Sequence, residues 1–408
     1  MKWLPLNAYW FGVSFMWAAV HTLVLPELIA LYGGPERNSL YGLLTLGGLL
    51  LALLATPVTG YLSDRTHSPW GRRPPWMVLG ALASATCLLV LVHARSWPAL
   101  AGAYLLLQLS SNLAHGPGQG LIPDKVPPHQ RGIASGVKAM LDMLGIVAAA
   151  LVVSRVLEGG AARHLAAGAI TAGVLLLSLM PTLAAARGGA GALAAPAPAR
   201  RTLRAIYGLN PVRDRDYVRL LASRFLVLLG VYAVQAFAYY YISDAVAPGR
   251  AASTVGNLMA IIALSVLVAA GPAGYLSERW GRRALSLVAC TAVALGMGAL
   301  ALVRTAAGIG LIGAVIGLGM GIFTTVNWAW ATDLVPPQEA GRYLGLSNLA
   351  TAGSAATARL LGPLIDRVNA SHPLQGYSLM FILAACAALM ALILTLRGER
   401  RPGAEVSR

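Results

Sequence analysis

Four sets of amides, rings and hydroxyls carry the chemistry that this sequence can do. Trp10, Ser14, Trp17 and His21 fall at i, i+4, i+7 and i+11, which is one face of a helix of 3.6 residues per turn. Gln108, Asn112, His115 and Gln119 repeat that spacing. Tyr232, Gln235 and Tyr239 lie at i, i+3 and i+7, and Thr324, Thr325, Asn327 and Trp328 sit close together. Every buried hydroxyl of a polyhydroxy solute needs a partner, and the apolar face of a sugar ring can lie on Trp or Tyr. The set therefore suits a small neutral polar solute. The competing use of such residues is to hold helices together by hydrogen bonds.

Charge adds a second chemistry. Lys138 and Asp142 are four residues apart and can pair on one helical face. An aspartate that exchanges a lysine partner for a proton would couple transport to a proton gradient. A permanent ion pair would accommodate two expensive charges equally well, and both uses stay open. His21 and His115 can titrate near neutral pH or serve as neutral hydrogen-bonding groups. No Gly-x-Ser-x-Gly, no metal-binding His-x-x-x-His with Glu and no Walker loop occurs, so neither an enzyme nor direct use of ATP is expected. Cys87, Cys290 and Cys386 are odd in number and lack metal spacing, so no disulfide, metal or other cofactor is expected beyond a coupling proton.

These residues need elements to hold them, and the composition says which. The chain is 57% hydrophobic and 11% charged, against about 25% charged in a soluble domain. Its mean hydropathy is +0.67. Apolar runs recur end to end, each near the ~20 residues that cross a bilayer. They predict twelve spans at 8–31, 39–62, 75–93, 98–122, 132–157, 164–183, 219–244, 254–276, 284–303, 307–331, 343–366 and 376–396. The first runs past signal-peptide length without a small-residue cleavage site and is expected to stay as a helix. Most of the 31 Lys and Arg fall in alternate loops, which makes those loops cytoplasmic and places both termini inside. The net charge of +16 then points to anionic inner-leaflet lipid and not to nucleic acid. Tyr240 and Tyr241 are expected as interfacial belt aromatics.

Two segments occur twice. Gly60-Tyr-Leu-Ser-Asp64-Arg65 returns as Gly274-Tyr-Leu-Ser-Glu278-Arg279, and Asp124-Lys-Val-Pro-Pro128 returns as Asp333-Leu-Val-Pro-Pro337. Such a duplication predicts an all-α polytopic membrane protein with 12 transmembrane helices in two pseudo-symmetric six-helix bundles. The first covers 1–183 and the second 219–408, ending in a short cytoplasmic tail; 184–218, rich in Ala, Gly, Pro and Arg, reads as a cytoplasmic linker.

The pattern Gly-x-x-x-Asp/Glu-Arg-x-Gly-Arg-Arg, present after the second span and again after the eighth, resembles the major facilitator superfamily over essentially the whole chain. Four extra residues separate acid from glycine in the first copy, Asp64-Arg65-Thr66-His67-Ser68-Pro69-Trp70-Gly71-Arg72-Arg73-Pro74-Pro75-Trp76. That copy is similar to the glycoside-pentoside-hexuronide cation symporters and the sucrose transporters. The resemblance implies a monomeric secondary transporter of the cell membrane, working by alternating access on a sugar or glycoside, with spans one, four, seven and ten lining a cavity. It implies a cytoplasmic gate of Asp64, Arg65, Gly71, Arg72, Arg73, Glu278, Arg279, Arg282 and Arg283. In that gate Asp64 meets the start of the eleventh helix and Glu278 the start of the fifth, where free N–H groups favour an acid.

Two departures bear on coupling. The sodium-coupled relatives carry additional acids in the second span, where this chain has Thr56, Pro57, Val58 and Thr59, so sodium is not expected. The acid that sucrose transporters place on the fourth span is missing, which leaves a proton on another acid, or uncoupled facilitation. A multidrug or lysolipid exporter of the same fold is the alternative, and a non-transporting membrane assembly factor or enzyme is the alternative of another class. An exporter of apolar compounds would leave the amide stripes idle.

Overall fold

The computed structural model describes residues 3–159, 162–186, 214–335 and 340–397, the side chains at 340–342, 344 and 345 excepted. The described residues fold as an all-α membrane protein with no strand among them. In the first half α1 is Leu4–Tyr32, α2 Arg37–Asp64, α3 Pro74–His93, α4 Trp97–Gln119, α5 Arg131–Val156 and α6 Arg163–Ala186. In the second, α7 is Arg215–Tyr241, α8 Ala251–Trp280, α9 Arg282–Leu300, α10 Ala306–Leu334, α11 Ala340–Arg359 and α12 Gln375–Leu396. Most of the linker and the tail expected from the sequence lie outside the described residues.

Ten of these helices are long and apolar enough to cross a membrane. The exceptions are informative. α4 is long enough but carries Gln108, Ser110, Ser111, Asn112 and His115 along its length. The eleventh span is broken, since α11 stops at Arg359 and the helix resumes as Leu361–Ser371. Pro363 explains the break: it has no N–H to offer the carbonyl of Arg359 four residues back. That carbonyl lies against Gly42 of α2, where any side chain would collide.

A proline also shapes α1. Val20–Val24 forms a π turn, in which the N–H of Leu25 reaches the carbonyl of Val20. The carbonyl of His21 would then take its bond from residue 26, but that residue is Pro26. The hydroxyl of Tyr41 supplies the missing donor at 2.7 Å. His21 is thereby held at a fixed height in the helix.

The chain divides into two compact units. One comprises Met1–Ala195, Ala236–Ala263 and Arg359–Gly376, and the other Pro196–Gln235, Leu264–Ala358 and Tyr377–Arg408. In the first, α1 packs on α5 and α6, and α3 on α4. Gly145 of α5 lets the carbonyl of Phe11 approach closely, in keeping with small residues at helix contacts in lipid. Tyr240 and Tyr241 depart from the expectation of belt aromatics, because both are buried. Tyr240 packs edge-on against Tyr41 and Tyr239 beneath the guanidinium of Arg37, so its surroundings are protein.

The duplication is visible in individual bonds. Ser96 and Thr305 cap α4 and α10 in the same way, accepting from the N–H of Ala99 and of Gly308. Asn7 of α1 donates to the carbonyl of Ala134 on α5, and Tyr217 of α7 donates to the carbonyl of Tyr343 on α11.

Candidate functional site

Half of the first stripe and half of the second meet around one ion pair on α5. Lys138 Nζ lies 2.7 Å from Asp142 Oδ2, and the hydroxyl of Ser14 on α1 donates to the other oxygen, Oδ1, at 2.8 Å. The ammonium also stands 3.9 Å from the ring centre of Trp10, within cation–π range. Trp10 in turn meets the edge of His115 on α4 at 4.9 Å, and His115 shares a hydrogen bond with Gln119. Ser14, Lys138 and Asp142 are partly exposed, as a solute or water would require, and Gln119 is exposed. Three helices thus converge on a small cluster of opposite charges, rings and amides.

The other members of these stripes serve differently. Trp17 stacks on His21 at 4.7 Å, and His21 hydrogen-bonds the hydroxyl of Tyr104 at 2.9 Å. Gln108 and Asn112 are buried. Asn112 accepts from Thr56 of α2 at 2.7 Å and donates to the carbonyl of Gln108, while Thr59 donates to the Asn112 carbonyl. Its amide oxygen ties α4 to α2, and its amide nitrogen bonds back to its own helix. For Asn112 the competing structural use therefore accounts for every bond seen.

On the second half, Asn327 is buried on α10 and accepts from Arg224 Nη1 of α7 at 2.9 Å. Arg224 Nε donates to Thr351 of α11 at 3.0 Å, and its guanidinium lies 5.8 Å from the ring centre of Trp328, which is 41% exposed. Thr324 bonds back to its own helix at Met320. Tyr232 is partly exposed and Gln235 exposed, whereas Tyr239 is buried and turned towards Glu27 of α1. Arg224 falls inside the span expected at 219–244, outside every stripe of polar residues. The repeat could have given it a place in the site. Ser14 follows Asn7 by the same seven residues that separate Arg224 from Tyr217, and Asp142 follows Ala134 as Thr351 follows Tyr343. The contact of Ser14 with Asp142 in one half is the contact of Arg224 with Thr351 in the other.

The duplicated motif forms a bonded joint inside each half. Arg73 donates from Nε to Asp124 at 3.0 Å and from Nη1 to Ser63 at 2.6 Å, and pairs with Asp64 at 2.6 Å. Arg282 donates from Nε to Asp333 at 3.1 Å and from Nη1 to Ser277. Arg72 adds a bond to Asp124 at 2.5 Å. Partial burial pushes the Asp124 carboxyl up, but hydrogen bonds and charge from Arg72 and Arg73 outweigh it and hold it below the usual carboxylate range. The bond to Asp124 raises Arg72 in return. Gly71 and Gly281 take φ of +97° and +88°, which side-chain-bearing residues avoid. Arg65 lies over Tyr61 as Arg279 lies over Tyr275, and Arg283 caps the end of α12 at the Thr395 and Leu396 carbonyls. Glu278 is exposed, with no ion pair among the described residues. Asp124 and Asp333, read from the sequence as repeat markers only, are the acids on which these arginines close.

A second network, at the opposite ends of the helices, was not anticipated. Asp366 accepts from Asn38 Nδ2 at 2.7 Å and from the backbone N–H of Ser39 at 2.6 Å, at the first turn of α2, where an acid is favoured. Arg37 pairs with Asp244, and Glu27 with Arg163 and His164.

The model of the family described as Major Facilitator Superfamily matches residues 10–358 and 220–408. The sucrose transport protein SUC4 of Arabidopsis thaliana is 28% identical over 154 residues, which is 33% of this chain and 30% of that protein. The lactose permease of Lactobacillus helveticus is 25% identical over 146 residues, 33% of this chain and 22% of that protein. The chain thus spans about a third or less of the length of these curated relatives. Among solved structures, a D-xylose-proton symporter aligns with a TM-score of 0.72 at 15% identity over 98% of both chains. The peptide transporter POT aligns at 0.75 and 14% over 97% of this chain and 93% of that one. At such identities the structural likeness speaks for the fold.

Proposed function

The chain belongs to the Major Facilitator Superfamily, and on that premise we propose that it is a secondary transporter of a small polar solute of the sugar or glycoside class. The observation that carries this reading is the cluster of Trp10, Ser14, His115, Lys138 and Asp142, where a hydroxyl, an imidazole and an ion pair stay partly accessible beside the buried ring of Trp10 inside a membrane-spanning bundle. Polar groups at membrane depth are expensive enough to require a use. The sucrose and lactose relatives support the sugar class by their names.

In this reading the solute is exchanged by alternating access, with both termini and the duplicated motif on the cytoplasmic side and Asp64 and Glu278 at the gate. Asp142 takes up a proton when Lys138 is drawn away and so couples the gradient to the solute. The test is accumulation of a radiolabelled disaccharide in proteoliposomes holding the purified protein, with and without an inward proton gradient. Uptake above that of empty vesicles, increased by the gradient, is the expected result. Saturable uptake that ignores the gradient would remove the coupling and leave facilitation, and efflux of lipophilic dyes without sugar uptake would replace the reading with that of an exporter.

A further inference from the structure

Arg224 is an unusual charge. It lies within α7, and no carboxylate pairs with it among the described residues, the acids of the second unit lying at helix ends as Asp214, Asp216, Glu278 and Asp333. Its two protein bonds go to neutral acceptors, Nε to Thr351 and Nη1 to Asn327. A guanidinium carries five N–H groups, so Nη2 and the second N–H of Nη1 remain without a partner among the described residues. No atom of Arg224 belongs to the buried groups that lack a bond, so this edge is open to the surroundings. The edge also has a direction. Arg224 and Gln235 are eleven residues apart, three helical turns, and share a face of α7 on which Gln235 is exposed.

The first half makes the contrast. There the equivalent place on α1 holds Ser14, and the cation of that site, Lys138, has Asp142 beside it. In the second half Thr351 stands where that acid would be, so the cation has no acid beside it among the described residues. An unpaired guanidinium within a span is expensive. Two fixed bonds to Thr351 and Asn327 nonetheless hold its plane, which is what recognition of a planar two-oxygen anion needs. Trp328, 41% exposed and 5.8 Å from the guanidinium, offers a flat apolar surface next to it.

We propose that Arg224, fixed by Asn327 and Thr351, is an anion subsite that takes the carboxylate of a sugar acid whose ring lies on Trp328. One guanidinium against one carboxylate leaves the loaded site neutral, whereas a sugar phosphate would bring a second charge. The proposal rests on the sugar-transport reading and replaces the neutral solute expected from the sequence with a singly charged one.

The test uses the full chain in lipid nanodiscs. Thermal stabilisation is titrated with glucuronate and with glucose, in the wild type and in Arg224→Gln and Arg224→Lys. Modification of Arg224 by phenylglyoxal, read by peptide mass spectrometry, is followed with each sugar and with lactate. Glucuronate is expected to bind about ten-fold or more tightly than glucose, the gain of a charge-assisted bidentate pair. The preference should vanish in Arg224→Gln and fall part-way in Arg224→Lys, which keeps the charge but loses the fork. Glucuronate should protect Arg224 and glucose should not. Equal binding of the two sugars, or a preference unchanged in Arg224→Gln, overturns the subsite. Protection by lactate without binding of either sugar would keep the anion subsite and sink the sugar reading, while failure of every carboxylate to protect Arg224 overturns the subsite itself.

Discussion

Arg73 and Arg282 make the same two bonds, to an aspartate and to a serine, although they are not the same arginine of the motif. Arg73 is the second of its pair, standing just before α3, and Arg282 is the first of its pair, already inside α9. The longer first loop shifts the register by one residue, and the joint survives. The two copies differ in exposure, with Arg73 and Asp124 at 10% and 17% but Arg282 and Asp333 at 24% and 54%. Lysine cannot span both partners, so Arg73→Lys should lower stability by roughly 1–3 kcal/mol. Arg282→Lys should lower it clearly less, since an exposed pair is screened. Thermal unfolding in one detergent, with the variants side by side, checks the order, and equal losses would contradict it.

The same joint predicts a pH dependence. The Asp124 carboxyl is held low in the folded protein, so its contribution is fully present above the unfolded value of about 3.9. It is lost as pH falls through the lower folded value. Asp124→Asn should therefore be less stable than the wild type at neutral pH and converge on it below about pH 4. Melting temperatures between neutral and acid pH measure the gap, and a gap that stays constant would show that Asp124 does not contribute through its charge.

Backbone geometry gives a third expectation. At φ of +97° and +88° an alanine is strained, and Gly71→Ala or Gly281→Ala should each cost about 1–2 kcal/mol. Gly60 lies within α2 with open space around it, so Gly60→Ala should be neutral or mildly stabilising. A Gly60→Ala loss as large as the other two would show that backbone strain at Gly71 and Gly281 is not what sets the cost.

Asp142 has two partners, and removing it leaves Lys138 a cation without an acid. Asp142→Asn should destabilise, and Lys138→Gln in the same chain should restore most of the loss, because breaking a pair is worse than removing it. If the pair also couples, Asp142→Asn should abolish gradient-driven accumulation yet retain exchange of labelled for unlabelled solute. Accumulation surviving in Asp142→Asn would leave the pair with a structural part only.

The spans were legible because crossing hydrocarbon demands a length and a composition that few other segments meet. The break at Leu360 and the π turn at Val20–Val24 were not, since Pro363 and Pro26 only remove a donor, and what replaces it is set by a distant helix. In the site, periodicity grouped residues of α1 and of α4 by helix face. It could not say what covers each turn. Trp10, Ser14 and His115 face the Lys138–Asp142 pair, while Asn112, on the same stripe, is consumed by the threonines of α2. Arg224 was visible as an isolated charge, and only the equal spacing from Tyr217 shows that it answers to Ser14.

That correspondence has an evolutionary reading. Two copies of an ancestral half have kept their helix caps, down to Ser96 and Thr305, while the equivalent polar places have diverged into an ion pair in one half and, among the described residues, a cation without an acid in the other. Only by placing serine, lysine and aspartate together at positions 224, 347 and 351 would the second half regain the ion pair that Ser14, Lys138 and Asp142 form in the first.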